Sequence, residues 1–295
     1  TVTKIIMFTG KGGVGKTTMS VATALHHAGV GNTLLISTDP SGSLSEIFSR
    51  PLNSKVHTVA PNLDAVELSR KLVLDLWRKK FADDIYTVLS SFLPVGREII
   101  DYLEGAPGIE DEFMLDYLLT MAESGEYLTI IWDTAPTVTT LNLLFIQQMF
   151  YSHLTQAHKL YFKVKKVFNN VDPLALINTW RSLTERIIAL LRTDTRAWVV
   201  ANPEHLAVEQ AFNIAESFDD FGIEVEGYIL NKVLPAEFCQ DHPFWQAKFI
   251  GQQKCREQMQ QRVNARPVKE IPELIGSIQI EGFLRKVAGL LHQNR

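Results

Sequence analysis

The residues best suited to chemistry lie near position 10, where Gly10-Lys11-Gly12-Gly13-Val14-Gly15-Lys16-Thr17-Thr18 closely follows the apolar run Ile5-Ile6-Met7-Phe8. A strand pattern, a glycine-rich turn and a helix-competent segment in that order make a phosphate-binding loop, G-x-x-x-x-G-K-[ST]. The glycines let the backbone curl with its N–H groups inward, forming an anion cradle at a helix N-terminus. Lys16 can reach the β- and γ-phosphates, and the Thr17 hydroxyl can ligate Mg²⁺. Gly12, Gly13, Val14, Gly15 and Thr18 complete the cradle. The pattern implies binding of a nucleoside triphosphate, with ATP and Mg²⁺ as the expected ligands.

Two acids end further apolar runs. Ile36-Ser37-Thr38-Asp39-Pro40 places Asp39 at a strand tip. A carboxylate beside phosphate is repelled unless a metal or its waters intervene, so Asp39 is a candidate to hold Mg²⁺ through water. A helix N-cap is the other use open to it. Ile130-Ile131-Trp132-Asp133 ends likewise, and Asp133 is a second candidate near the metal.

These residues need a scaffold that brings strand ends together. Strands are expected near Lys4–Phe8, Thr33–Ser37, Leu63–Leu68, Leu128–Trp132, Ala197–Val200 and Gly227–Leu230, separated by helical stretches. That alternation predicts an α/β fold: a mostly parallel sheet flanked by helices, with ligands at the C-terminal strand ends. Two intervals exceed a simple crossover and predict a helical subdomain, inserted at about 72–125 and 140–193 into a single domain spanning 1–295. The late run Phe283-Leu284, Val287 and Leu290-Leu291, with Arg285, Lys286 and Arg295, reads as an amphipathic helix that suits a membrane surface or the sheet, and packing on the sheet is favoured.

Composition narrows the class. With 295 residues, 46% hydrophobic and 21% charged, the chain can bury one large core. A net charge of -4 argues against a nucleic-acid or anionic-membrane partner. No apolar run approaches the ~18 residues of a membrane span. Two cysteines make no disulfide framework, so a reducing cytoplasm is expected. The first residues lead straight into the phosphate-loop strand, so no signal peptide is expected.

Lys11 makes the loop the form K-G-G-x-G-K-T-T, which resembles the group holding the cell-division, nitrogenase iron-protein and arsenite-pump ATPases. A lysine on the rim of a cradle already served by Lys16 can reach a second nucleotide, which implies a homodimer with facing ATP sites. Ser37-Thr38-Asp39-Pro40-Ser41-Gly42-Ser43-Leu44-Ser45-Glu46 resembles switch I of the arsenite-pump and tail-anchored-protein-targeting ATPases. Asp133-Thr134-Ala135-Pro136-Thr137 resembles their switch II. Pro107-Gly108-Ile109-Glu110-Asp111-Glu112, Asn202-Pro203-Glu204 and Asn231-Lys232-Val233-Leu234-Pro235 extend the likeness down the chain. The resemblance implies a phosphate-loop NTPase in which Lys11, Lys16, Asp39 and Glu46 serve hydrolysis and Asn231 contacts adenine. It further implies that the helical subdomain handles an apolar helix of a client protein.

The chain also departs from that pattern. Glu46 stands where the targeting enzymes carry a water-orienting aspartate, and a plain surface glutamate is its other reading. Val138-Thr139 replaces a glycine–histidine pair, so an ATP-holding module with little hydrolysis is the alternative function. Leu143, Leu144, Ile146 and Met149 suit either a client groove or a closed core. An arsenite-pump role is disfavoured, because Cys239 and Cys255 are too few for a trivalent-metalloid site. The targeting enzymes' zinc-binding C-x-x-C is absent, leaving Cys239 and His242 with C-x-x-H spacing. Elemental analysis of the purified protein should find no stoichiometric zinc, and chelator should leave its oligomeric state unchanged. About half a zinc per chain, lost in Cys239→Ser, would establish a bridging site instead.

Overall fold

The computed structural model describes residues 3–53, 55–90, 96–104, 109–135, 152, 173–239, 242–273 and 280–292. An eight-stranded sheet runs through it: β1 (Lys4–Gly10), β2 (Thr33–Ser37), β3 (His57–Ala60), β4 (Leu63–Glu67), β5 (Thr129–Asp133), β6 (Thr195–Ala201), β7 (Glu224–Val233) and β8 (Val268–Pro272). The strand order is β3-β4-β2-β5-β1-β6-β7-β8. Every pairing is parallel except β3 with β4. The six expected strands are present, several of them longer than expected. β3 and β8 were not expected.

Both sheet faces are buried, which is why the strands read as continuous apolar runs. Alternation divides them cleanly. Ile5, Met7, Leu34, Ile36, Ile130 and Trp132 join the core on one face. Ile6, Phe8, Leu35, Ile131 and Val200 join the core on the other. A single-residue register slip would exchange the two sets, so each pairing has only one good solution.

Helix α1 (Lys16–Ala28) and the late helix α9 (Ile280–His292) share the second face, where Val21 and Ala24 meet Leu284, Val287 and Leu291. The expected packing of the late helix on the sheet is therefore found. A one-turn helix, α2 (Ser43–Ile47), follows β2. Helix α7 (His205–Phe221) covers the first face and ends at Gly222, whose left-handed φ of 78° lets the chain turn back. Helix α8 (Pro243–Arg262) connects β7 to β8.

Helices α3 (Arg70–Ser90), α4 (Glu98–Glu104) and α5 (Ile109–Glu123) lie between β4 and β5 in sequence, and α6 (Pro173–Ala189) precedes β6. They share a small core of Trp77, Phe81, Ile85 and Ile100, with Phe113 and Trp180 against it. Among the described residues no helix is long and apolar enough to cross a membrane. The expected groove residues Leu143, Leu144, Ile146 and Met149, and Val138-Thr139, lie outside the described residues. So do Pro107-Gly108 and Pro136-Thr137.

Trp77 is 1% exposed, with its ring centroid 5.7 Å from that of Phe113. Trp77→Ala should therefore cost about 3–5 kcal/mol in guanidinium unfolding, the range for truncating a buried aromatic. A loss below about 1 kcal/mol would mean that these helices contribute no cooperative core.

Candidate functional site

The site is built at the C-terminal ends of β1, β2 and β5, three adjacent parts of the sheet. β1 delivers Gly10 against β6 so closely that a Cβ there would sit 2.2 Å from the Val200 carbonyl oxygen. The loop then turns through Gly15, whose φ of 98° is left-handed and whose side a Cβ would drive into Asn231 Nδ2 at 2.4 Å. Only glycine satisfies both demands. Val14 is 1% exposed and anchors the loop in the core of the second face, whereas Lys11, Gly12 and Gly13 are exposed.

Asp133, at the tip of β5, is the hub. It is 0% exposed and gathers three hydroxyls. Thr17 Oγ1 donates to its Oδ2 at 2.8 Å, Ser37 Oγ to the same oxygen at 3.2 Å, and Ser20 Oγ to Oδ1 at 3.3 Å. The Asp133 carbonyl accepts the Thr38 N–H at 2.9 Å, and Trp132 Nε1 donates to Thr38 Oγ1 at 3.1 Å. Thr134 Oγ1 donates to the Phe8 carbonyl at 2.8 Å. The β2 end and the first turns of α1 are thus tied to one carboxyl at the tip of β5, and the next residue, Thr134, ties that tip to β1.

Burial raises the Asp133 pKa to about 6, against the opposing pull of the Thr17 hydrogen bond, the Lys16 charge and the Ser37 hydroxyl. Lys16 is 5% exposed, and burial holds its pKa below the usual lysine value despite the nearby charges of Asp133 and Asp39. Its Nζ donates to the Lys11 carbonyl at 3.3 Å, beneath the loop. Asp39 is half-buried, and its Oδ1 accepts the Ser41 N–H at 2.9 Å, so it caps its own turn. Thr18 is also half-buried, in the first turn of α1.

Asn231 is 7% exposed and supports the loop from β7, its Nδ2 donating to the Val14 carbonyl at 2.8 Å. Glu46 is exposed on α2, with no side-chain partner among the described residues. Cys239 is 4% exposed, and its Sγ lies 3.4 Å from the Pro235 carbonyl. His242 caps α8 through Nδ1, which accepts the Phe244 N–H at 3.2 Å.

Three participants were not legible beforehand. Ser37 and Ser20 carry a signal only in retrospect: one ends the strand before Asp39, the other lies one helical turn after Lys16. Glu67, at the end of β4, holds α2 from 22 to 23 positions away, a separation no local motif encodes.

A model for the family of anion-transporting ATPases matches residues 3–293. The chain belongs to that family. A Halobacterium salinarum protein, provisionally named as an arsenical pump-driving ATPase, is 27% identical over 298 residues, 98% of this chain and 44% of that protein. The chain thus spans under half the length of that relative. A second provisionally named arsenical pump-driving ATPase, from Aquifex aeolicus, is 32% identical over 242 residues, 79% of this chain and 81% of that one. The protein named ATPase GET3C in Arabidopsis thaliana is 27% identical over 284 residues, 84% of this chain and 73% of that one.

In this family member the raised Asp133 pKa has a direct consequence. Folding favours the protonated carboxyl, so its stabilising contribution is full below about pH 4 and is lost as pH rises through about 6. Asp133→Asn should raise the stability of the nucleotide-free protein at pH 7.5 by about 1–2 kcal/mol, because about two pKa units are worth roughly 3 kcal/mol, less the charge-assisted bonds lost. The same substitution should abolish ATP turnover. Thermal unfolding between pH 4 and 8 is the check, and a variant less stable than the parent at pH 7.5 would refute the assignment.

Proposed function

We propose that this chain is a Mg²⁺-ATP-dependent homodimeric switch that couples ATP hydrolysis to the handling of an apolar client helix through α3–α6. The supporting observation is the junction at Asp133, where the phosphate-loop helix, the β2 end and the β5 end meet on one buried carboxyl. A change in what the Thr17 hydroxyl contacts is felt at both switch segments, because Thr17 and Ser37 share Asp133 Oδ2.

The residues fit a hard cation. Thr17 Oγ1, Asp39 and Asp133 are oxygen donors, and a bound cation would favour the charged form of the Asp133 carboxyl, whose pKa burial raises to about 6. Among the described residues no group of three or more His, Cys, Asp and Glu is arranged to hold a metal by itself, so phosphate and water would complete the coordination. Magnesium, when bound, supplies charge neutralisation on the β- and γ-phosphates. Lys16 holds the γ-phosphate, the backbone from Gly12 to Thr18 cradles the phosphates, and Glu46 orients the attacking water. Asn231 holds the Val14 carbonyl from below the loop, and its amide is the group that contacts the adenine. Lys11, exposed on the rim, reaches the nucleotide of the second copy.

The names of the relatives divide between arsenical pumps and GET3C. Two observations favour a targeting-type client, such as the tail anchor of a membrane protein, over a metalloid. Cys239 and Cys255 are both buried, and burial pushes the Cys255 thiol pKa up, away from the thiolate that As(III) requires. Helices α3–α6 instead enclose an aromatic-rich core of their own, suited to transmitting movement to an apolar partner.

Two substitutions separate the roles. Lys16→Ala should lower ATP turnover at least ~100-fold. Lys11→Ala should leave ATP affinity within about threefold while weakening ATP-dependent dimerisation by ~10-fold or more, because only the cross-site charged contact is lost. Sedimentation with ATP reads the difference. A Lys11 variant that dimerises like the parent would sink the cross-site role.

A further inference from the structure

We infer that Glu67 is a positioning residue for ATP hydrolysis, acting through Glu46 by holding the short helix α2 in place; this rests on the reading above that Glu46 orients the attacking water. Helix α2 spans only Ser43–Ile47, one turn, and a single turn has no intrinsic stability in water. Its N-cap, Gly42, has no side chain with which to take the first N–H groups. Something outside the helix must fix it.

Glu67 does so from the end of β4. Its Oε1 accepts the Leu44 N–H at 2.7 Å and the Ser45 N–H at 3.2 Å, the two donors immediately before Glu46. Its Oε2 accepts the Ser45 hydroxyl hydrogen. That hydroxyl in turn accepts the Leu52 N–H at 3.1 Å, and the Glu67 backbone N–H returns to the Leu52 carbonyl at 2.9 Å. The carboxylate is 6% exposed and is held from both of its oxygens. Leu44, 0% exposed in the core, pins the other side of the turn.

The anchor continues to the site. The residue after Glu67 donates its N–H to the Ser37 carbonyl at 2.9 Å, and the Ser37 hydroxyl reaches Asp133 at 3.2 Å. Asp133, β2, β4 and α2 therefore form one hydrogen-bonded frame. The exposed Glu46 carboxylate, without a side-chain partner among the described residues, is the group this frame carries toward solvent. Leu44 and Ser45 immediately precede Glu46, so the bonds that cap this turn also set where Glu46 stands. Glutamine would fit the space, but its Nε2 cannot accept the Ser45 hydroxyl hydrogen.

Steady-state ATP hydrolysis by Glu67→Gln, Glu46→Gln and the double variant tests this. Each single change should lower kcat by ~10-fold or more with KM for ATP within about twofold, and the double should be no slower than Glu46→Gln. Multiplying effects in the double variant would overturn the inference, since Glu67 would then act elsewhere. A raised KM with unchanged kcat would overturn it too, placing Glu67 with nucleotide binding. If Glu46→Gln keeps the parental kcat, the role of Glu46 itself falls, and the inference falls with it, an outcome distinct from multiplying effects. Should Glu67→Gln fail to fold, Ser45→Ala breaks the same frame and must show the same kcat-only loss, with Ser45→Thr restoring the rate.

Discussion

The structure depends on a carboxyl buried where its charge is unwelcome. Asp133 loses solvation at the tip of β5, and three hydroxyls with one lysine only partly compensate. A buried and incompletely neutralised acid is a destabilised group, and its relief is positive charge. Because its hydroxyl partners come from β2 and from α1, that relief is delivered to several elements together. The sheet makes this possible: β2 and β1 flank β5, so the β2 end and the helix that follows β1 arrive within hydrogen-bonding reach of one side chain.

Much of this could be read from the sequence because its signals are local. The phosphate loop is contiguous, and β1, β2 and β5 are short apolar runs buried on both faces. Strand β3 escaped notice because its four residues are only half-buried to exposed and it pairs antiparallel through a hairpin at Pro61-Asn62. Strand β8 reads Val-Lys-Glu-Ile-Pro, a charged edge strand whose apolar content is too thin to stand out. Both lie on the outside of the sheet, where one neighbour is missing and the hydrophobic pattern weakens.

The support beneath the loop was hidden for a different reason. Asn231 meets Val14 across 217 positions, and Glu67 meets Leu44 across 23. Such bonds leave no local signal: the motif around Asn231 points to an adenine contact rather than to Val14, and no motif marks Glu67. They become visible only once topology has brought the strand ends together. Residue types at the strand ends were therefore legible, whereas the geometry that holds them was not.

The placement of α1 has a consequence in time as well as in space. Its strand, β1, pairs with β5 and β6, Lys4 lying opposite Thr129 and Ile5 opposite Thr195, while α9 covers the helix itself. During synthesis at ~5–20 residues per second, the nucleotide loop leaves the ribosome well before these neighbours and then waits roughly 10–50 seconds for them. Until they arrive, a glycine-rich segment next to bare apolar strands is exposed to chaperones and proteases. Nucleotide capture then becomes a marker of a finished chain: ATP selects molecules whose distant strands have already closed around the loop.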